Sequence, residues 1–396
     1  MAHDPAPVQF KEQAYEVETQ TPTLDDDSLA EARRLVGVDY RGARATIEIT
    51  RDNIKDFCNY IGSHNPLFLD ESYAHRTRWG GIIAPPFMVG MAIIAPGLRG
   101  IQWIHAGIDY EFYQVMRPGD IITQRGKLID AQEKRGKTVP RMILQIGEVT
   151  CTNQRSELVS RSRVYCMRTP RRQAQGGMGY QPRLHRWSPE ELEALEAEMN
   201  AEGIRGSQPR YWEDVREGED MPSVLYGPLR VVDIAFTGSF TDAGAVAAQG
   251  VAHTGGHFYQ LLNRRRHPAD TYIDPNTGLQ DHPHRGHWES FMAREVGMPG
   301  VYDMGPHRLA WLCRYITDWM GDDAFLKKIG GTLRRPNLVG DVTRIKGRVK
   351  RKRVESVRGK PGREGVERHV ECELWGVNQH NEITMPGHAV VSLPIR

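Results

Sequence analysis

Apolar positions recur along this chain in two rhythms, and their order in the first half returns in the second. Asn53, Ile54, Phe57, Cys58 and Ile61 mark a short amphipathic helix that Thr50 is placed to cap. Pro86 to Ala95 is mostly apolar on every side, which predicts a second helix buried inside a curved sheet. Period-two alternation follows at Ile108, Tyr110 and Phe112, then around Met142–Ile146 and Leu158–Cys166, and predicts strands. In the second half a helix is predicted from Pro306 through Leu309, Leu312, Cys313, Ile316 and Met320 to a stop at Gly321. Val370, Cys372 and Leu374 alternate with Glu371 and Glu373, and His388 to Leu393 reads as a closing strand.

The repetition extends to particular residues. Phe68-x-Asp70-x-x-x-Ala74 returns 219 residues later as His287-x-Glu289-x-x-x-Ala293. Gly119-Asp120 returns as Gly340-Asp341, and Asn153-Gln154-x-x-Glu157 as Asn378-Gln379-x-x-Glu382. Three pairs in the same order predict a tandem duplication. The expected organisation is an N-terminal extension (1–40, with Asp25-Asp26-Asp27), a first copy (41–168), a linker (169–208) and a second copy (209–396) with an insertion at 241–280. The linker carries one helix signal, with Ser188 as cap, Pro189 in first position and Glu191 closing a capping box. A linker of that length allows the second copy to fold back so that the two sheets join edge to edge.

At 396 residues two domains are the natural expectation. The longest apolar stretch, Ile82 to Pro96, is too short to span a bilayer, and no leader-like start is present, so no membrane and a cytoplasmic location are expected. Cys58, Cys151, Cys166, Cys313 and Cys372 are scattered and odd in number, as free thiols in a reducing compartment would be. A net charge of +2 argues against nucleic acid, and the basic run Lys346–Arg353 alternates with apolar residues like an exposed strand face. No phosphate-cradling loop occurs: near Gly136-Lys137-Thr138, Ala131 stands where the first glycine would be needed. His253-x-x-x-His257 and His282-x-His284-x-x-His287 invite a zinc reading, but Thr254-Gly255-Gly256 is poor helix material and no metal is expected.

The stretch Tyr60-Ile61-Gly62-Ser63-His64-Asn65-Pro66-Leu67-Phe68-Leu69-Asp70, with Gly80-Gly81-Ile82-Ile83-Ala84-Pro85-Pro86, resembles the N-terminal domain of MaoC-like dehydratases. That resemblance implies an α+β double hot-dog, two antiparallel sheets each wrapped around a central helix. It also implies an acid/base pair, Asp and His, at the positions of Ser63 and Phe68, and an oxyanion-binding glycine at the position of Pro86. All three are lost here, which predicts a silent first copy that serves packing and the acyl-chain pocket. The second copy resembles a divergent unit of the same superfamily. His287 falls at the catalytic histidine and Gly305, before Pro306, at the oxyanion glycine, while five residues before His287 stands His282 with Asp281 beside it.

What the resemblance implies is hydration of an enoyl thioester or the reverse dehydration, with an acyl-CoA or acyl-carrier thioester as partner and no cofactor. An imidazole such as His287 titrates near operating pH. Its carboxylate partner is Asp281 or Asp303. The Gly305 N–H would receive the developing oxyanion at a helix start. Each residue has a plainer reading: His287 a packed histidine, Asp281 a surface carboxylate, Asp303 a helix cap, Glu289 a loop anchor like Asp70. Arg308 could reach the pocket or a phosphate. The insertion, with Tyr259 and Tyr272, would border the site and select a bulky or polar acyl group. A thioesterase and a non-catalytic acyl-CoA binder are the competing readings, and monomer and homodimer both fit.

Overall fold

A computed structural model describes residues 23–40, 45–98, 100–136, 139–170, 183–234, 272–273, 277–278, 280–281, 283–358 and 364–396. Residues 1–22, most of the insertion, including His253, His257 and Tyr259, and His282 beyond it lie outside them.

The first copy contributes β1 (Ala45–Glu48), β2 (Gln102–Phe112), β3 (Ile121–Lys134), β4 (Met142–Thr152) and β5 (Leu158–Thr169). The second contributes β6 (Asp220–Tyr226), β9 (Phe325–Thr332), β10 (Thr343–Arg358), β11 (Glu364–Val377) and β12 (Ile383–Ser392), with a separate ribbon of β7 (Tyr272–Ile273) and β8 (Gln280–Asp281). The two expected sheets are in fact one. Ten strands run in the order β1-β3-β4-β5-β2-β9-β12-β11-β10-β6, which reads the same from either end once each strand is replaced by its repeat partner. The junction is the antiparallel pair β2·β9, from Gly107↔Thr332 to Glu111↔Lys328. Joining there satisfies the backbone groups that two free sheet edges would leave open.

The repeated motifs fold alike down to single hydrogen bonds. The Asn153 side chain accepts from the N–H groups of Arg155 and Glu157, and Asn378 from those of His380 and Glu382, all at 3.0 Å. Gln154 donates to Asp120 and Gln379 to Asp341. Each aspartate in turn accepts an N–H at 2.8 Å, from Arg117 or Leu338. The glycines just before these aspartates, Gly119 and Gly340, sit at φ +91 and +92, a region open to glycine at little cost.

Among the helices, α1 (Asp26–Arg34) lies in the extension, and α2 (Arg51–Ile61) has Thr50 and Asn53 in a reciprocal capping box. Short helices α3 (Pro66–Leu69) and α4 (Glu71–His75) follow, the latter capped by Asp70. In the linker, α5 (Pro189–Asn200) carries the Ser188/Glu191 capping box. Then come α6 (Ser290–Glu295) and α7 (Gly305–Met320), which ends at Gly321. Buried on most of its circumference, α7 is the central helix of the second copy.

The first copy departs from expectation here. Only Pro86–Met88 turns, as a short 3-10 segment, and residues 89–98 run as irregular chain through the core. Gly90 at φ +87 breaks the helix, and Pro96 would block its continuation. The backbone groups a helix would have satisfied internally are taken up by buried side chains. Gly90 N–H donates to Gln124 at 3.0 Å, and its carbonyl accepts from Ser162 at 2.6 Å. Gln145 donates to Pro96 O at 2.9 Å, while Arg168 reaches the carbonyls of Ala95, Gly97, Leu98 and Ile101. Gly147 opens the space that Ile94 fills.

The pairing registers fix the second-copy equivalents. Gln124 pairs with Cys151 as Ile345 does with Gly376, and Ile143 pairs with Arg168 two strands along. Followed through, Gln124, Gln145, Ser162 and Arg168 correspond to Ile345, Val370, Gly387 and Leu393. A real helix, α7, meets only apolar or absent side chains there. The polar quartet exists because buried backbone must find partners.

Candidate functional site

In the second copy a 3-10 turn (Pro283–His287) and α6 bring the chain past the leading end of α7. The imidazole of His287 is half-buried. Its Nδ1 lies 3.0 Å from the carbonyl oxygen of Tyr302, and its ring centroid 4.2 Å from the Tyr302 ring. A carbonyl only accepts, so Nδ1 carries the proton and the basic lone pair of the neutral ring is on Nε2. Tyr302 is three residues ahead of Gly305, so the contact ties this histidine to the entrance of α7.

Gly305 opens a sixteen-residue helix whose next residue, Pro306, has no N–H. Its own N–H has no protein partner among the described residues. A Cβ at 305 would meet Leu333 Cδ1 at 2.5 Å and His105 Nδ1 at 3.3 Å. Any larger residue would have to displace the Leu333 side chain and crowd His105, and the helix end adds positive potential beside the Gly305 N–H.

Asp303 and Arg308 are placed differently from the substrate contacts expected of them. They form a buried ion pair, Nε to Oδ2 at 2.9 Å, with each side chain 3% exposed. Arg308 also donates to Arg335 O and Asn337 Oδ1, and Asp303 accepts from Asn337 N–H. Burial pushes the Asp303 carboxyl up and the Arg308 guanidinium down, each opposed by the other's charge. The pair clamps the start of α7 to the chain between β9 and β10. Asp281 is described only through its backbone, which pairs with Tyr272. Glu289 precedes α6 and pairs with Arg285 at 2.6 Å, whereas Asp70 at the equivalent position caps α4 by accepting from Tyr73 N–H. Among the described residues no cluster of metal-ligating side chains occurs.

One neighbour escaped the sequence reading. His105, from β2 of the first copy, is 6% exposed and sits against Gly305. Nothing in strand alternation distinguishes it from any inward residue, and only the β2·β9 junction brings it to the second copy. Beyond it His307 Nε2 meets Tyr60 O at 2.6 Å, and burial pushes that imidazole down to about 4.

The equivalent place in the first copy is an apolar cavity of about 40 Å³. Phe68 and Pro86, which stand where the histidine and glycine stand in the second copy, both line it, with Trp79, Phe112, Met320 and Leu326. Ser63 is buried and accepts from Asn65 N–H at 3.3 Å. No group suited to proton transfer at neutral pH stands at the three positions Ser63, Phe68 and Pro86.

Residues 34–162 match the family of FAS1-like dehydratase domain regions. A UPF0336 protein of Thermobifida fusca is 27% identical over 99 residues, 22% of this chain and 65% of that protein, so the match spans about two thirds of the relative's length. By fold the chain is similar to a MaoC-like dehydratase with a TM-score of 0.58 at 14% identity, covering 92% of this chain and all of that one. A conserved Mycobacterium tuberculosis protein with a double hot-dog fold aligns over 90% of this chain and 96% of its own, at a TM-score of 0.48 and 10% identity. No described helix is long and apolar enough to cross a membrane. The first copy is thus similar to a FAS1-like dehydratase region, and the fold of nearly the whole chain is similar to that of a MaoC-like dehydratase.

Proposed function

We propose that this protein is a hydro-lyase acting on a 2-enoyl or 3-hydroxyacyl thioester, with its chemistry at the leading end of α7. The observation that supports this reading is that His287 is anchored through Nδ1 on Tyr302 O, three residues before Gly305, whose N–H has no partner among the described residues. In hydration, Nε2 of His287 takes a proton from water, whose oxygen bonds to C3 of the enoyl group. The C2=C3 π electrons move toward the thioester, and the oxygen that gains charge accepts from Gly305 N–H. The imidazolium then returns a proton to C2, so that one water is added and the ring is restored. A single well-placed oxyanion donor contributes about 3 kcal/mol to such a transition state. CoA is the favoured carrier. The carboxylate that commonly assists such a histidine would be Asp281, since Asp303 is committed to Arg308.

The test is an enoyl-CoA series, followed by loss of the conjugated thioester absorbance. Turnover that His287→Ala abolishes supports the reading. Turnover unchanged in His287→Ala removes His287 from it, and release of free CoA thiol would make the protein a thioesterase instead. Binding without any turnover would favour a non-catalytic acyl-CoA binder, for which the engaged Asp303 is the supporting observation.

A further inference from the structure

The imidazole of His105 is buried, and neither ring nitrogen completes a hydrogen bond within the described protein. Leaving a buried polar side chain without a partner is costly, so each such group calls for an explanation. His105 stands at a bulge in β2, where the pairing with β5 slips between His105 and Gly107. The bulge is pinned by Leu333 N–H donating to Ala106 O at 2.8 Å. It turns the ring against Gly305, with Nδ1 3.3 Å from where a Cβ of that residue would be. A buried ring with no well-formed hydrogen bond, acted on by the Gly107 backbone, therefore packs against Gly305, whose N–H has no partner among the described residues, at the positive end of a sixteen-residue helix.

The internal symmetry supplies an independent comparison. His105 pairs with Cys166 as Leu326 pairs with Val391, which makes Leu326 its repeat equivalent. Leu326 lines the first copy's cavity beside Pro86. Each copy thus extends one strand residue into the other's site. In the site that has Phe68 and Pro86 that residue is leucine, and in the site that has His287 and Gly305 it is histidine.

We propose that His105 is a second donor to the thioester oxygen, completing with Gly305 N–H an oxyanion hole shared between the two copies. This rests on the thioester chemistry proposed above. The ring acts as a neutral donor and needs no protonation change. Burial pushes it down to about 4, against a smaller upward pull from the Gly107 backbone, so it is uncharged across neutral pH.

Two readouts on the full-length protein test the inference. His105→Leu should lower kcat on enoyl-CoA by ~10²-fold, and His105→Gln, which keeps an N–H donor, should recover most of that loss. Thermal stability of His105→Leu should hold or rise, because an orphaned polar group is removed; a histidine with a merely structural role would lose stability instead. The second readout is the isotope-edited infrared stretch of the thioester carbonyl in bound crotonyl-CoA. It should shift down on binding to wild type and to His287→Ala, and shift less with His105→Leu. A wild-type protein that turns over while His105→Leu matches it in kcat overturns the inference and leaves the hydro-lyase reading intact. A carbonyl shift that depends on His105 without turnover supports the inference and sinks the hydro-lyase reading. Neither turnover nor a carbonyl shift in wild type overturns both. Should His105→Leu fail to fold, His105→Met against His105→Gln carries the same comparison.

Discussion

The two copies share strand order, turn chemistry and register, yet they fill the space inside their half of the sheet differently. The second holds α7, whose backbone is satisfied internally and whose leading N–H, at Gly305, has no partner among the described residues. The first threads residues 89–98 as irregular chain, held by Gln124, Gln145, Ser162 and Arg168. Where the helix was lost, the site beside it became an apolar cavity. A duplicated fold can keep its architecture while, among the described residues, the place of Phe68 and Pro86 in one half is taken by His287 and Gly305 in the other. The family match at residues 34–162 falls on the half without them, so similarity there reports ancestry and shape rather than the reacting groups.

Making the second copy resemble the first should have the largest effect. His287→Phe installs the residue found at position 68 and should reduce kcat on an enoyl thioester by ~10²–10⁴-fold. The reciprocal Phe68→His should yield no new activity, since Pro86 offers no N–H. Steady-state kinetics on both variants would break the comparison if Phe68→His alone restored turnover to a His287→Phe background.

Next is the support of the extended segment. Arg168→Met strands several buried carbonyls and should cost about 3 kcal/mol or more. Leu393→Met, at the equivalent position under α7, should cost less than about 1.5 kcal/mol. Denaturant titration of the pair measures the contrast directly. Equal costs would mean that the polar quartet is not what holds residues 89–98.

The sequence carried the duplication, the turns and the central helix of the second copy because each leaves a local trace: Asn153 and Asn378 in identical turns, Pro306 and Gly321 at helix ends. It misread Pro86–Ala95, whose apolar run suits a helix and a buried extended chain equally. The deciding evidence lay 34 to 73 residues away, in inward-facing Gln124, Gln145 and Arg168. His287 and Gly305 were legible as a motif, whereas the mutual pairing of Asp303 with Arg308 depends on Asn337 and Arg335 from the following loop. His105 had no local mark at all.

The smallest expected effect concerns the cost of keeping α7. Burial pushes the Asp318 carboxyl on that helix up to about 7, against the opposing charge of Arg314. A carboxyl whose folded value is raised above its unfolded one favours the folded state while protonated. Its contribution is therefore lost as pH rises from about 4 to about 7. Asp318→Asn should flatten stability over that window, seen in melting curves taken across it, with the first copy's cavity unaffected. A slope unchanged by the substitution would assign the pH dependence to other groups.

The most direct measurement is a crystal structure with a hydrolysis-resistant analogue of 3-hydroxyacyl-CoA. The account predicts the carbonyl oxygen within hydrogen-bonding distance of Gly305 N, with His287 Nε2 facing C2 and C3 of the acyl group. An analogue seated instead in the Phe68–Pro86 cavity, or His287 turned away from the bound acyl group, would contradict it.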